Sequence, residues 1–80
     1  ELFVATSLSD ISKIKTALEA DCSPDAALAA HSIKGAAANM GFGEISKMAA
    51  QMETKAKQGD LQEIQTLVID IEHKVNALIE

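Results

Sequence analysis

The sequence predicts an all-α fold, an antiparallel up-down-up-down four-helix bundle, and three observations lead there. Apolar residues recur at three- and four-residue spacing through four segments of the 80-residue chain. Helix stops and starts punctuate it at Asp21 to Pro24, Gly41 to Glu44 and Gly59-Asp60. The composition is 48% hydrophobic with only two aromatics and one proline, so the core must be aliphatic and alanine-rich, which favours helices.

The first helix covers about residues 1–20, with Phe3, Val4, Leu8, Ile11, Ile14 and Leu18 as its stripe. Ser7 and Asp10 have the spacing of a capping box and offer a second possible start. A start there would strand Leu2, Phe3 and Val4 as an apolar tail, so a continuous helix is favoured. After a turn at Asp21-Cys22, Ser23 is expected as N-cap, with Pro24 at the first helical position and Asp25 in the first turn. This second helix runs over about 24–40, with Ala29, Ile33, Ala36 and Met40 as its apolar stripe. Gly41 stops it in the left-handed conformation, and Phe42 folds back over the cap.

The third helix, about 44–58, turns Ile45, Met48, Ala49, Met52 and Ala56 inward and ends at Gly59. Asp60 and Glu63 form a capping box for the fourth, about 61–79, in which Leu61, Ile64, Val68, Ile71, Val75 and Leu78 make a bundle seam. Short connections make successive helices antiparallel neighbours. Residues 1–80 therefore read as one domain, which, with no initiator methionine, is expected to be a piece of a longer chain.

Charge and cysteine content exclude several functions. A net charge of −5 argues against nucleic-acid binding, which needs a basic surface. The charge is uneven: residues 1–25 carry −3 and 60–80 carry −4, whereas 26–59 carry +2 from Lys34, Lys47, Lys55 and Lys57 against Glu44 and Glu53. An anionic group is steered to that basic middle. A lone cysteine, Cys22, rules out an internal disulfide and fits a reducing compartment. No segment approaches the roughly 20 apolar residues of a membrane span, so no direct membrane contact is expected.

The remaining chemistry lies on the second helix. At about 100° per residue, Ala27, His31, Lys34, Gly35 and Ala38 gather opposite the apolar stripe. A solvated face normally carries long polar side chains; this one sets a histidine and a lysine in a clearing of Ala and Gly. Gly35 in mid-helix costs about 1 kcal/mol relative to Ala. Its reason is close helix packing or close approach of a partner, and its angular place beside His31 favours the partner. A neutral imidazole at near-neutral pH is a competent nucleophile, and a lysine one turn on supplies positive charge for phosphoryl oxygens. No nucleophile-plus-base pattern, phosphate loop or metal-ligand spacing accompanies them, so neither an independent catalytic site nor a metal or other cofactor is expected. His73, between Glu72 and Lys74 with no such clearing, reads as an ordinary surface histidine.

The run His31-Ser32-Ile33-Lys34-Gly35-Ala36-Ala37-Ala38-Asn39-Met40-Gly41 resembles the motif of histidine-containing phosphotransfer (HPt) domains. It is similar in particular to the phosphorylatable domain of chemotaxis histidine kinases, where a Gly-Phe pair like Gly41-Phe42 follows. The resemblance is strongest over about residues 28–60. It implies that His31 accepts and donates a phosphoryl group through Nε2, and that Lys34 contacts the phosphate. It implies too that Gly35, Ala38 and Ala27 let a partner press close, and that Glu53 accepts the Nδ1 hydrogen of His31. By periodicity alone Glu53 sits on the shoulder of its stripe, where a solvated role is equally open.

Ala50 stands where the chemotaxis type can carry a second histidine, and the 80 residues hold no fifth helix; both points favour a generic HPt module, although truncation would produce the second as well. The implied partners are a response-regulator receiver domain, a histidine kinase, or both, with Mg²⁺ on the receiver. A monomeric cytoplasmic domain is implied, free or as the cytosolic part of a membrane-bound sensor kinase. The competing reading is a non-catalytic helical scaffold whose Ala/Gly face packs against another helix.

Overall fold

The computed structural model describes residues 2–78. They form α1 (Leu2–Glu19), α2 (Ser23–Asn39), α3 (Gly43–Lys57) and α4 (Leu61–Ala77), with no strand among the described residues. The expected helix limits at residues 1 and 79 lie outside them. α1 packs on α2 and α4, and α3 packs on α2 and α4, which closes a four-membered ring of helices 31 × 18 × 17 Å in extent.

All three corners use the same closure. Cys22, Phe42 and Asp60 donate their backbone N–H to the carbonyls of Ala17, Ala37 and Lys55 at 2.8, 2.9 and 2.9 Å. One residue earlier, Asp21, Gly41 and Gly59 donate to Leu18, Ala38 and Ala56. These are Schellman motifs, and each needs a left-handed residue after the helix. Gly41 and Gly59 fill that position at φ of 80° and 77°, but at the first corner it falls to Asp21, at φ of 55°. Phe42 does fold back, half-buried against the core, with its ring centroid 5.0 Å from that of Phe3.

The helix starts differ more from expectation. Ser23 is the first residue of α2 rather than its cap; Cys22 holds the N-cap position, and no side chain caps the helix. Pro24 in the first turn has no N–H to satisfy, which lowers the need for one. Asp60 caps α4 as expected, its Oδ1 accepting from the Glu63 N–H at 3.3 Å.

Ile11, Ile14, Ile33, Met52, Ile64, Ile71 and Val75 are fully buried and make the body of the core. α1 is one continuous helix, but its inward face is rotated from the predicted stripe. Ser7, Asp10 and Ala17 are buried, while Leu8 and Leu18 are only half-buried. Neither Ser7 Oγ nor Asp10 Oδ2 has a hydrogen-bond partner there. On α2 the inward residues are Ala26, Ala29, Ala30, Ile33 and Ala37. Met40, expected inward, is exposed, because it is the C-cap residue beyond the last turn.

Two substitutions should stabilise the fold. Asp21→Gly removes the strain of a side chain in the left-handed region and should gain about 0.5–1 kcal/mol. Ser7→Ala removes an unpaired buried hydroxyl and should gain about 1 kcal/mol. Each should raise the midpoint of thermal unfolding by about 4–8 °C per kcal/mol, measured by circular dichroism.

Candidate functional site

The site lies where α2 crosses the outer half of α3. Small inward residues on both helices, Ala29, Ala30 and Ala37 on α2 and Ala49 and Ala56 on α3, let the two backbones approach closely. Ser46 Oγ donates to the Lys34 carbonyl at 3.2 Å and ties the helices together beside the site. Glu53 shares the buried face of α3 with Ala49, Met52 and Ala56. Its side chain is only 11% exposed, so the expectation of a place on the shoulder resolves into a nearly buried carboxylate.

That carboxylate gathers three cationic or N–H groups. His31 Nδ1 lies 3.0 Å from Oε2, Lys34 Nζ 2.7 Å from Oε1, and Lys57 Nζ 3.4 Å from Oε2. The Lys34 hydrogen bond pulls the Glu53 pKa down to about 2 against the opposing effect of burial, and Lys57 adds to the pull. Glu53 is therefore ionised at any physiological pH and can only accept, so Nδ1 of a neutral His31 carries the hydrogen. The lone pair is left on Nε2, which hydrogen-bonds to none of the described residues. The His31 side chain is 65% exposed, so this nitrogen is open to solvent.

The structure thus brings His31, Lys34 and Glu53 together. Gly35 and Ala38 are exposed on the same helix, and a Cβ added at Gly35 would meet nothing within 4 Å. Packing inside this chain therefore does not explain the glycine. Ala27 is different: it is half-buried and packed against the core. Two neighbours escaped the sequence reading. Leu28, one turn before His31, is 70% exposed and lines a groove between α1 and α2 that also includes Ser32. Lys57 was counted only as charge, although its i,i+4 spacing from Glu53 was a readable signal. His73 is exposed on α4. Among the described residues no three His, Cys, Asp or Glu side chains are grouped to hold a metal ion, and no helix is long and apolar enough to cross a membrane.

A family model, the Hpt domain, matches residues 1–80, and the chain belongs to that family. Hpt domains are phosphocarriers of two-component signalling rather than catalytic enzymes; they hold phosphohistidine and interact with kinases and receiver domains. Comparison with curated proteins and with solved structures gives no match.

The depressed pKa of Glu53 sets a pH dependence. A carboxyl whose folded pKa lies below its unfolded value of 4.5 stabilises the fold above that value and loses the contribution as pH falls towards about 2. The urea midpoint of the wild type should fall through this window faster than that of Glu53→Gln. Parallel curves for the two would remove the linkage.

Proposed function

We propose that this chain accepts a phosphoryl group on His31 Nε2 from a receiver-domain aspartyl phosphate or a kinase, and returns it to a receiver aspartate. The observation that supports this reading is the pairing of Nδ1 with a nearly buried, ionised Glu53 while Nε2 faces solvent. In the forward step the Nε2 lone pair attacks phosphorus, the Nε2–P bond forms, and the P–O bond to the donor carboxylate breaks. The donor aspartate leaves with the electron pair. The ring becomes an imidazolium whose positive charge is stabilised by Glu53 through the Nδ1–H bond. Because the phosphorylated ring keeps its Nδ1–H hydrogen-bonded to Glu53, it departs in the return step as neutral imidazole, with the electron pair of the Nε2–P bond going back to Nε2. Lys34 turns from Glu53 to neutralise the phosphoryl oxygens during transfer.

In this reading the receiver supplies the Mg²⁺ and the chain works as a monomeric domain on the cytoplasmic side. Exposed Leu28, Ser32, Gly35 and Ala38 receive the partner around His31. Such a contact is of modest area and needs the glycine's lack of bulk.

Incubation with a phosphorylated receiver should label this chain with an alkali-stable, acid-labile phosphate, and His31→Gln should not label. Undiminished labelling of that variant would sink the assignment. Gly35→Ala should raise stability by about 1 kcal/mol. Gly35→Gln should leave the helix folded yet slow transfer at least about tenfold, by keeping the partner from near-attack distance. Stopped-flow transfer rates and thermal melts of both variants check this; transfer at the wild-type rate by Gly35→Gln contradicts the docking face.

A further inference from the structure

The hydrogen bonds at Glu53 contain a conflict. Lys34, the cation that neutralises the phosphoryl oxygens in the proposed function, is held by Glu53 Oε1 in the resting site. A phosphoryl group on Nε2 adds a charge of about −2 beside that carboxylate and draws Lys34 away. A side chain as buried as Glu53 is costly to leave ionised without a counter-charge.

Lys57 stands ready on the other oxygen. It is the last residue of α3, one turn beyond Glu53, with its side chain 67% exposed. Its Nζ is 3.4 Å from Oε2, the oxygen that also receives His31 Nδ1–H. We propose that Lys57 is a positioning residue of this site, the counter-ion that holds Glu53 when Lys34 turns to the phosphoryl group. The inference rests on the function proposed above and gives that site a second, exchangeable cation.

The chemistry fixes the sign of its effect. With Lys57 present, Glu53 stays compensated and the phosphorylated ring can release its Nδ1 proton to solvent. Without Lys57, the Nδ1 proton is the remaining compensation once Lys34 has moved. The phosphorylated ring is then held protonated on Nδ1, so that it departs as neutral imidazole rather than imidazolate. Water attacks phosphorus sooner, the Nε2–P bond breaks with its electron pair returning to Nε2, and the proton of the water passes to solvent.

The test needs no receiver. Phosphoramidate loads the imidazole directly: the Nε2–P bond forms, the P–N bond of the reagent breaks, and ammonia departs. The decay of phosphohistidine is then followed by ³¹P NMR in the wild type, Lys57→Gln and Lys57→Arg. Lys57→Gln should shorten the half-life about three- to fivefold, the size of effect an exposed ion pair can exert. Lys57→Arg should restore it, and about 1 M salt should close the gap. Equal melting temperatures for the three proteins, expected for so exposed a side chain, separate this from a folding effect.

A Lys57→Gln half-life within about 1.5-fold of the wild type, below what such a pair exerts, overturns the role. So does a Lys57→Arg half-life as short as that of Lys57→Gln, because the charge is then not the cause. Failure of the wild type to exchange with any receiver counts against the proposed function instead and leaves these half-lives readable.

Discussion

The close seam between α2 and α3 is the constraint on which the site depends. α2 buries Ala26, Ala29, Ala30 and Ala37 around a single large residue, Ile33, and α3 answers with Ala49 and Ala56. Alanine contributes little buried area, so this seam adds modestly to the hydrophobic stabilisation. The bulk of the core comes from Ile11 and Ile14 on α1 and from Ile64, Ile71 and Val75 on α4. One pair of helices is built for proximity and the other supplies most of the large side chains. Longer residues in the seam would move Glu53 beyond hydrogen-bonding reach of His31 and Lys34.

Placing a carboxylate in that seam reshapes the electrostatics around it. Glu53 desolvation opposes ionisation, yet Lys34 and Lys57 outweigh it, which is why the group remains an obligate acceptor. The same two lysines account for half of the positive charge in the basic middle of an acidic chain. That local excess holds the carboxylate charged, and in the proposed function it also draws the phosphoryl group to Nε2. Elsewhere the charged side chains make ordinary inter-helix ties, Lys15 with Glu72 and Lys74 with Glu44, which are exposed and contribute little.

The bundle was legible because its signals are local. Apolar spacing located all four helices, and Gly41 and Gly59 marked two of the three corners because glycine takes a positive φ without the steric cost that other residues meet. The third corner was found as a turn, but Asp21 gave no sign of standing in the same left-handed position. The rotation of α1 was also hidden: a stripe drawn through Leu8 and Leu18 is the better guess on hydrophobicity, and only the packing of four helices at once buries Ser7 and Asp10 instead. At the site, the run from His31 to Gly41 carried the resemblance and with it Lys34 and Gly35. The pairing of Glu53 with His31 Nδ1 came from the resemblance, but its burial was not readable from periodicity, because whether a shoulder residue meets water or a neighbouring helix depends on how close that helix comes. Lys57 escaped for the same reason, since its significance follows from the burial of Glu53.

The same distinction between inside and outside explains what the fold does not need. Gly35 lies on an exposed helix face with open space around it, and Leu28 holds an apolar side chain in water one turn from His31. Neither choice favours the isolated domain: the glycine weakens the helix, and the leucine leaves most of its side chain in water. Residues that break local rules without compensation inside the chain point to a partner outside it. Here both flank His31, whose Nε2 faces solvent. A carrier has to surrender its phosphoryl group as readily as it takes it, so its site must remain open and its bond weak. In the proposed function, open ground around Nε2 provides the first, and a carboxylate that keeps Nδ1 protonated, so that the ring departs as neutral imidazole, provides the second.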